Sequence, residues 1–158
     1  MTTASTTING PEGTNGLFGA AIAAGSDFNA DGYADLAVGA PGVESDTGRV
    51  YVFMGSPSGL STVPSVTLRA TGISAGRFGE TLTGIGDTNG DGFPDLLVGA
   101  PAAGSNTGAA FIFPGSATGL SSAGVRLSSP AGAGERFGVV VAQTLPVTTN
   151  VGATFLCA

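Results

Sequence analysis

Along the chain, short apolar runs alternate with clusters of Gly, Pro, Ser and Asp, and apolar positions do not recur at the helical spacings of three and four. Small apolar residues come first, around Phe18 to Gly25. DLAVGAP (35–41) follows as an apolar run closed by Gly and Pro. RVYVFMG (49–55) is rich in β-branched and aromatic side chains, and SVTLRA (65–70) alternates. Four short segments of this kind, separated by turn residues, predict a four-stranded antiparallel sheet.

The pattern then starts again. LFGAAIAAGSDFNADGYADLAVGAP (17–41) aligns with RFGETLTGIGDTNGDGFPDLLVGAP (77–101), so that Phe18 and Phe78, Gly19 and Gly79, and Asp27 and Asp87 fall 60 residues apart. The match continues at the same spacing through TGRVYVFMGSPSGLS (47–61) and TGAAFIFPGSATGLS (107–121). A repeat of this length built from four strands predicts propeller blades, an array in which one unit cannot bury its own apolar face.

A third copy is degenerate. ERFGVVVAQT (135–144) restarts the strand at Phe137, but no Asp-rich turn and no Gly-Ala-Pro follow, and VGATFLCA (151–158) resembles the third strand instead. At the other end STTINGP (5–11) resembles a fourth strand. The expected organisation is residues 1–16 as an N-terminal strand completing a shared blade, 17–76 and 77–134 as full blades, and 135–158 as a partial third. The fold class is all-β: β-propeller blades of four antiparallel strands, two full and one degenerate, closing by self-assembly.

Charge sharpens the picture. The chain of 158 residues carries 5 Lys+Arg and 11 Asp+Glu, a formal charge of -6. Asp27, Asp31, Asp35, Asp87, Asp91 and Asp95 lie in two short turns, and without them Glu12, Glu44, Asp46, Glu80 and Glu135 balance five arginines. The whole excess therefore sits in those turns. With no lysine and a pI near 4.1, the basic footprint required by nucleic acid or anionic lipid is missing. No apolar stretch of spanning length and no leader peptide is visible, as would also hold for a chain whose leader had been removed.

Chemistry is limited too. Histidine is absent and the single cysteine, Cys157, reads as a small hydrophobe near the end, so triads, imidazole metal sites and internal disulfides are excluded. The glutamates do not repeat, and nothing positions them as a glycosidase pair. The protein is read as non-enzymatic. Gly and Pro are abundant, but low charge and 42% hydrophobic residues argue against disorder.

Numbered from its first Asp, DFNADGYAD places oxygen-bearing side chains at positions 1, 3, 5 and 9: Asp27, Asn29, Asp31 and Asp35. Asp87, Asn89, Asp91 and Asp95 repeat this in the second turn. A chain curled around an ion turns alternate residues inward, and Gly32 or Gly92 at position 6 lets the carbonyl of Tyr33 or Phe93 join them. Hard oxygen donors suit Ca²⁺, whereas the soft or imidazole donors of zinc sites are missing. An EF-hand would place Glu at position 12, where Val38 and Val98 stand, and its flanks would be helices. A plain polar hairpin would use the same residue types. Two copies with all four oxygen positions unchanged point to the ion, and two Ca²⁺ would bring -6 to -2.

Phe18, Phe78 and Phe137 are expected in the core between blades, and Gly39 and Gly99 at close strand packing. The order Phe-Gly, Asp-rich turn, Gly-Ala-Pro resembles the FG-GAP repeats of the integrin α-subunit β-propeller and of related bacterial extracellular proteins, over nearly the whole chain. The resemblance implies calcium in the hairpin between the first two strands of a blade, at residues 27–35 and 87–95. It also implies an extracellular or cell-surface setting.

Family propellers have about seven blades and propellers generally close with about 4 to 8, whereas this chain has two and a part. Open edges are rarely tolerated, so a homo-oligomer is expected, two or three chains closing a six-bladed ring. The alternative is a piece of a longer propeller. The expected function is calcium-stabilised extracellular protein binding or adhesion. The alternatives are a glycan-binding lectin, weakened by the absence of Trp and the presence of only two Tyr, and a structural propeller fragment of a larger secreted protein.

Overall fold

Each full repeat folds into one sheet. The computed structural model describes residues 6–130, 134–144 and 154–157. β1 (Ile22–Ser26), β2 (Asp35–Ala40), β3 (Arg49–Phe53) and β4 (Val66–Leu68) lie side by side in chain order, each pair antiparallel. β5 (Thr81–Gly86), β6 (Asp95–Ala100), β7 (Ala109–Phe113) and β8 (Val125–Ser128) repeat the arrangement. The central strand β6 is buried along its whole length, so it reads as a continuous apolar run rather than an alternating one. Between β1 and β2 the register slips at Gly25, and between β5 and β6 at Ile85. These bulges end regular pairing where the Asp-rich turns begin.

The main core lies between the two sheets. Ala37, Val50, Val52 and Leu68 of the first sheet meet Phe78, Leu82, Leu96, Val98 and Phe113 of the second unit. The second sheet's other face, with Ile85, Leu97 and Ala110, packs against Phe137 and Val141. Phe78 is fully buried, while Phe18 is half-buried over Tyr51 and Phe53.

A left-handed turn latches each unit to the next. Glu44, Ser45 and Asp46 adopt φ of 53°, 55° and 63°, and Gly104, Ser105 and Asn106 adopt 60°, 58° and 66°. Such turns are intrinsically unfavourable for L-residues, so tertiary contacts must hold them. The carbonyls of Asp46 and Thr47 accept the N–H groups of Arg77 and Phe78 at 2.7 and 3.1 Å. Asn106 and Thr107 accept those of Arg136 and Phe137 at 2.8 and 3.0 Å.

Past Phe137, β9 (Val141–Thr144) pairs antiparallel with β10 (Thr154–Cys157) as a two-stranded sheet. β10 resembles a third strand in sequence but pairs directly with β9, the place β2 and β6 hold beside β1 and β5. An antiparallel neighbour needs only a short connection, so the next available strand takes the open edge. Residues 1–5 and the side chain of Cys157 lie outside the described residues. Residues 6–10 form no strand with the other described residues, and Ile8 packs beside Phe18 on the first sheet.

Candidate metal centre

The two Asp-rich turns are built alike. Asp27 accepts the N–H of Asp31 on Oδ1 (3.0 Å) and that of Gly32 on Oδ2 (2.8 Å). Asn29 Oδ1 accepts the same Asp31 N–H at 3.2 Å, and its Nδ2 donates to Asp31 Oδ2 at 2.9 Å. Asp31 Oδ1 accepts the N–H of Tyr33 at 2.9 Å. In the second turn Asp87 accepts from Gly90, Asp91 and Gly92, Asn89 bridges to Asp91, and Asp91 accepts from Phe93. Gly32 and Gly92, with φ of 90° and 92°, supply the turn that an L side chain would resist. Since one N–H binds Asp27 Oδ1 and Asn29 Oδ1 together, these oxygens converge on the inside of the curl. The Gly92 N–H above all holds the Asp87 carboxyl below the usual carboxylate range.

Asp35 and Asp95 behave differently. Both are buried, at 2% and 0% exposure, and stand first in β2 and β6. Asp35 accepts the N–H groups of Phe28 and Gly55, each at 2.8 Å. Asp95 accepts those of Thr88 at 3.0 Å and Gly115 at 2.9 Å, and also the Thr88 hydroxyl. Each carboxylate thus pins its turn to the loop after the third strand. Burial pushes the Asp35 carboxyl up, against the N–H groups of Gly55 and Phe28, and the charges of Asp27 and Asp31 push the same way. Sequence reading placed these aspartates by spacing, but their backbone partners leave no trace in the residue pattern.

Removing this brace has a predictable cost. Asp95→Ala leaves the N–H groups of Thr88 and Gly115 without their acceptor and is expected to lower stability by about 2 kcal/mol in urea unfolding. Asp95→Asn keeps an acceptor and should lose less. Equal stability of the alanine variant and wild type would show that the brace contributes nothing.

Phe28 escaped the sequence reading, although an aromatic inside a polar turn was the available signal. It is fully buried in the core between the sheets, and its carbonyl accepts the N–H of Ser116 at 3.3 Å. The first turn is therefore braced by the second blade.

The donor set fits a hard cation. Every side chain at positions 1, 3, 5 and 9 offers oxygen, and the turns carry charge that no arginine offsets. Among the described residues, the ion pairs join Arg49 to Glu12 and Glu44, Arg69 to Glu44, and Arg77 and Arg136 to Glu80; none reaches a turn aspartate. Among the same residues no three Asp, Glu, His or Cys side chains already stand together as a metal cage. The side chains are instead held along the curl by backbone N–H groups and by the asparagine amide. No helix among the described residues is long and apolar enough to cross a membrane.

Comparison with known proteins agrees with this anatomy. The FG-GAP repeat family matches at residues 18–53 and 78–113, each match running from the Phe of Phe-Gly to the end of the third strand. Integrin alpha-4 of Xenopus laevis is 42% identical over 106 residues, 65% of this chain and 10% of that protein. Integrin alpha-IIb of Mus musculus is 46% identical over 86 residues, 54% of this chain and 8% of that protein. Phosphatidylinositol-glycan-specific phospholipase D of Bos taurus is 48% identical over 94 residues, 56% of this chain and 11% of that protein. The chain thus spans about a tenth of the length of the curated relatives it matches. With two four-stranded sheets that each carry Phe-Gly, an Asp-rich hairpin and Gly-Ala-Pro in the matched order, the chain carries two FG-GAP repeats similar to those of integrin alpha subunits.

Proposed function

We propose that the chain is a calcium-stabilised β-propeller module of an extracellular or cell-surface protein, serving protein binding or adhesion and not catalysis. One observation carries the metal reading: three carboxylates sit at each turn while every ion-paired arginine is engaged elsewhere. Three like charges on one short turn repel one another, so a cation that drew them together in the folded form would add stability by linkage. Asp27, Asn29, Asp31, the Tyr33 carbonyl and Asp35 would hold one ion. Asp87, Asn89, Asp91, the Phe93 carbonyl and Asp95 would hold the other. Bound Ca²⁺ would supply fixed positive charge that cross-links the hairpin. The adhesion reading rests on the likeness to integrin alpha subunits, and ring closure by association of chains belongs to it.

A structural module of a larger secreted protein is the second reading, favoured by the match to phosphatidylinositol-glycan-specific phospholipase D. On either reading the two turns act alike. Calcium at a hundredfold excess over its dissociation constant is expected to add about 2.7 kcal/mol per site. For a chain of this size that raises the melting temperature by roughly 5–10 °C per site. Asp31→Asn and Asp91→Asn should each remove one site in calorimetric titration. Identical melting in calcium and in chelator would overturn the metal reading.

A further inference from the structure

The two Asp-rich turns match at every oxygen-bearing position but differ at the residue between the third and the fifth. Position 4 is Ala30 in the first turn and Gly90 in the second, so of the two turns only the second contains an Asn-Gly step. The backbone does not demand that glycine: Ala30 already adopts a left-handed φ of 56°, and a Cβ on Gly90 would meet nothing within 4 Å. What differs is the partner of the amide at that position. The Gly90 N–H donates to the Asp87 carboxylate at 2.7 Å, whereas the Ala30 N–H donates to the Asp27 backbone carbonyl at 3.3 Å. Beside it, Asn89 Oδ1 accepts the Asp91 N–H at 3.0 Å, and Asn89 Nδ2 donates to Asp91 Oδ2 at 2.8 Å. Asn89 and Gly90 are both exposed, while Asn29 is half-buried next to the anchored Phe28.

We propose that Asn89 is a site of spontaneous deamidation, promoted by Asp87, through which the second turn changes chemically while the first does not. In this reaction the backbone nitrogen that follows an asparagine attacks the side-chain carbonyl carbon, and glycine, lacking a Cβ, lets that nitrogen approach. The Asp87 carboxylate stands where it can take the proton of the attacking N–H. The Asp91 N–H sits on the oxygen where negative charge develops. The Gly90 nitrogen bonds to Asn89 Cγ, the Cγ–Nδ2 bond breaks, and Nδ2 leaves as ammonia with the proton that Asp87 received. Water then opens the succinimide ring. Breaking the new N–Cγ bond gives aspartate, and breaking the original N–C bond gives isoaspartate, in which the chain runs through Cγ. Aspartate adds a further carboxylate beside Asp87, Asp91 and Asp95, and isoaspartate lengthens the curl between positions 3 and 4. Two turns built alike thus diverge with age. Asn9 and Asn15 also precede glycine, but a Cβ on Gly10 or Gly16 would fall 2.6 Å from Phe18 or 2.9 Å from Val43, so their backbone has little room to swing.

Incubating the full chain in chelator at neutral pH and mapping its peptides by mass spectrometry tests this. With calcium withheld, the result does not depend on the metal reading. Aspartate and isoaspartate are expected to accumulate at residue 89 while Asn29 persists. Gly90→Ala gives the second turn the step that the first already folds with, and should bring conversion down to that of Asn29. Asp87→Asn keeps the Asn-Gly step and should slow conversion ~10-fold or more, because a positioned general base supplies ~100-fold or more where water cannot replace it. Far-UV circular dichroism matching wild type shows that the variants fold. Asn89 persisting, or converting no faster than Asn29, overturns the site. Asp87→Asn converting as fast as wild type overturns the part assigned to Asp87.

Discussion

Phe78→Ala is expected to cost about 3–5 kcal/mol of stability, a drop in melting temperature of roughly 10 °C. Phe18→Ala, at the matching position of the preceding repeat, should cost less than half as much in dilute solution. Both rings pack on the third strand of their own sheet. Phe78 lies 5.6 and 5.7 Å from Phe111 and Phe113, and Phe18 lies 5.8 and 6.3 Å from Tyr51 and Phe53. They differ in what covers them. Phe78 is roofed by the first sheet, so its removal opens a cavity walled on both sides, and cavity cost grows with the volume that cannot collapse. Among the described residues Phe18 has no second sheet over it and packs with Ile8 and Leu60 at the edge of the first sheet's own cluster, so solvent can fill the space. Urea unfolding of the two variants would settle this, and equal losses would contradict the placement of Phe78 between blades.

The contrast marks how far the residue pattern reaches. Strands within a unit were legible because short β-branched runs and turn residues act locally; RVYVF forms β3 where its composition predicted a strand. Phe18, Phe78 and Phe137 could be placed in an interblade core as a class, but the same letter at the same repeat position cannot say whether a neighbour is present. That depends on the ends of the array. The left-handed turn at Glu44, Ser45 and Asp46 was not legible either, since none of these residues asks for that conformation. It is imposed by the carbonyls that latch Arg77 and Phe78. In the metal turns, spacing identified the oxygen-bearing residues. It could not separate Asp27 and Asp31, which line the curl, from Asp35, whose oxygens accept two backbone N–H groups, one of them 20 residues away at Gly55.

Gly39→Ala is the sharper test of how the blades are joined, because this glycine is required by proximity and not by backbone conformation. A Cβ at Gly39 would fall inside the van der Waals radius of the Gly79 carbonyl oxygen, in the next blade. Backbone cannot yield as a flexible side chain can, so the two sheets must part, and the expected cost is about 3 kcal/mol or more. Gly99 stands in the same relation to Gly138. Among the described residues a two-stranded sheet lies beyond it, however, so Gly99→Ala should disturb that attachment and leave the junction of the two full blades in place. Gly19 separates the two reasons for glycine: its φ is 91° and a Cβ there meets nothing within 4 Å. Gly19→Ala should therefore cost only the left-handed penalty, about 1–2 kcal/mol. The expected order of destabilisation in urea is Gly39→Ala first, with Gly99→Ala and Gly19→Ala smaller. If Gly39→Ala cost no more than Gly19→Ala, the blades would not be held at backbone contact, and Gly-Ala-Pro would need another physical explanation.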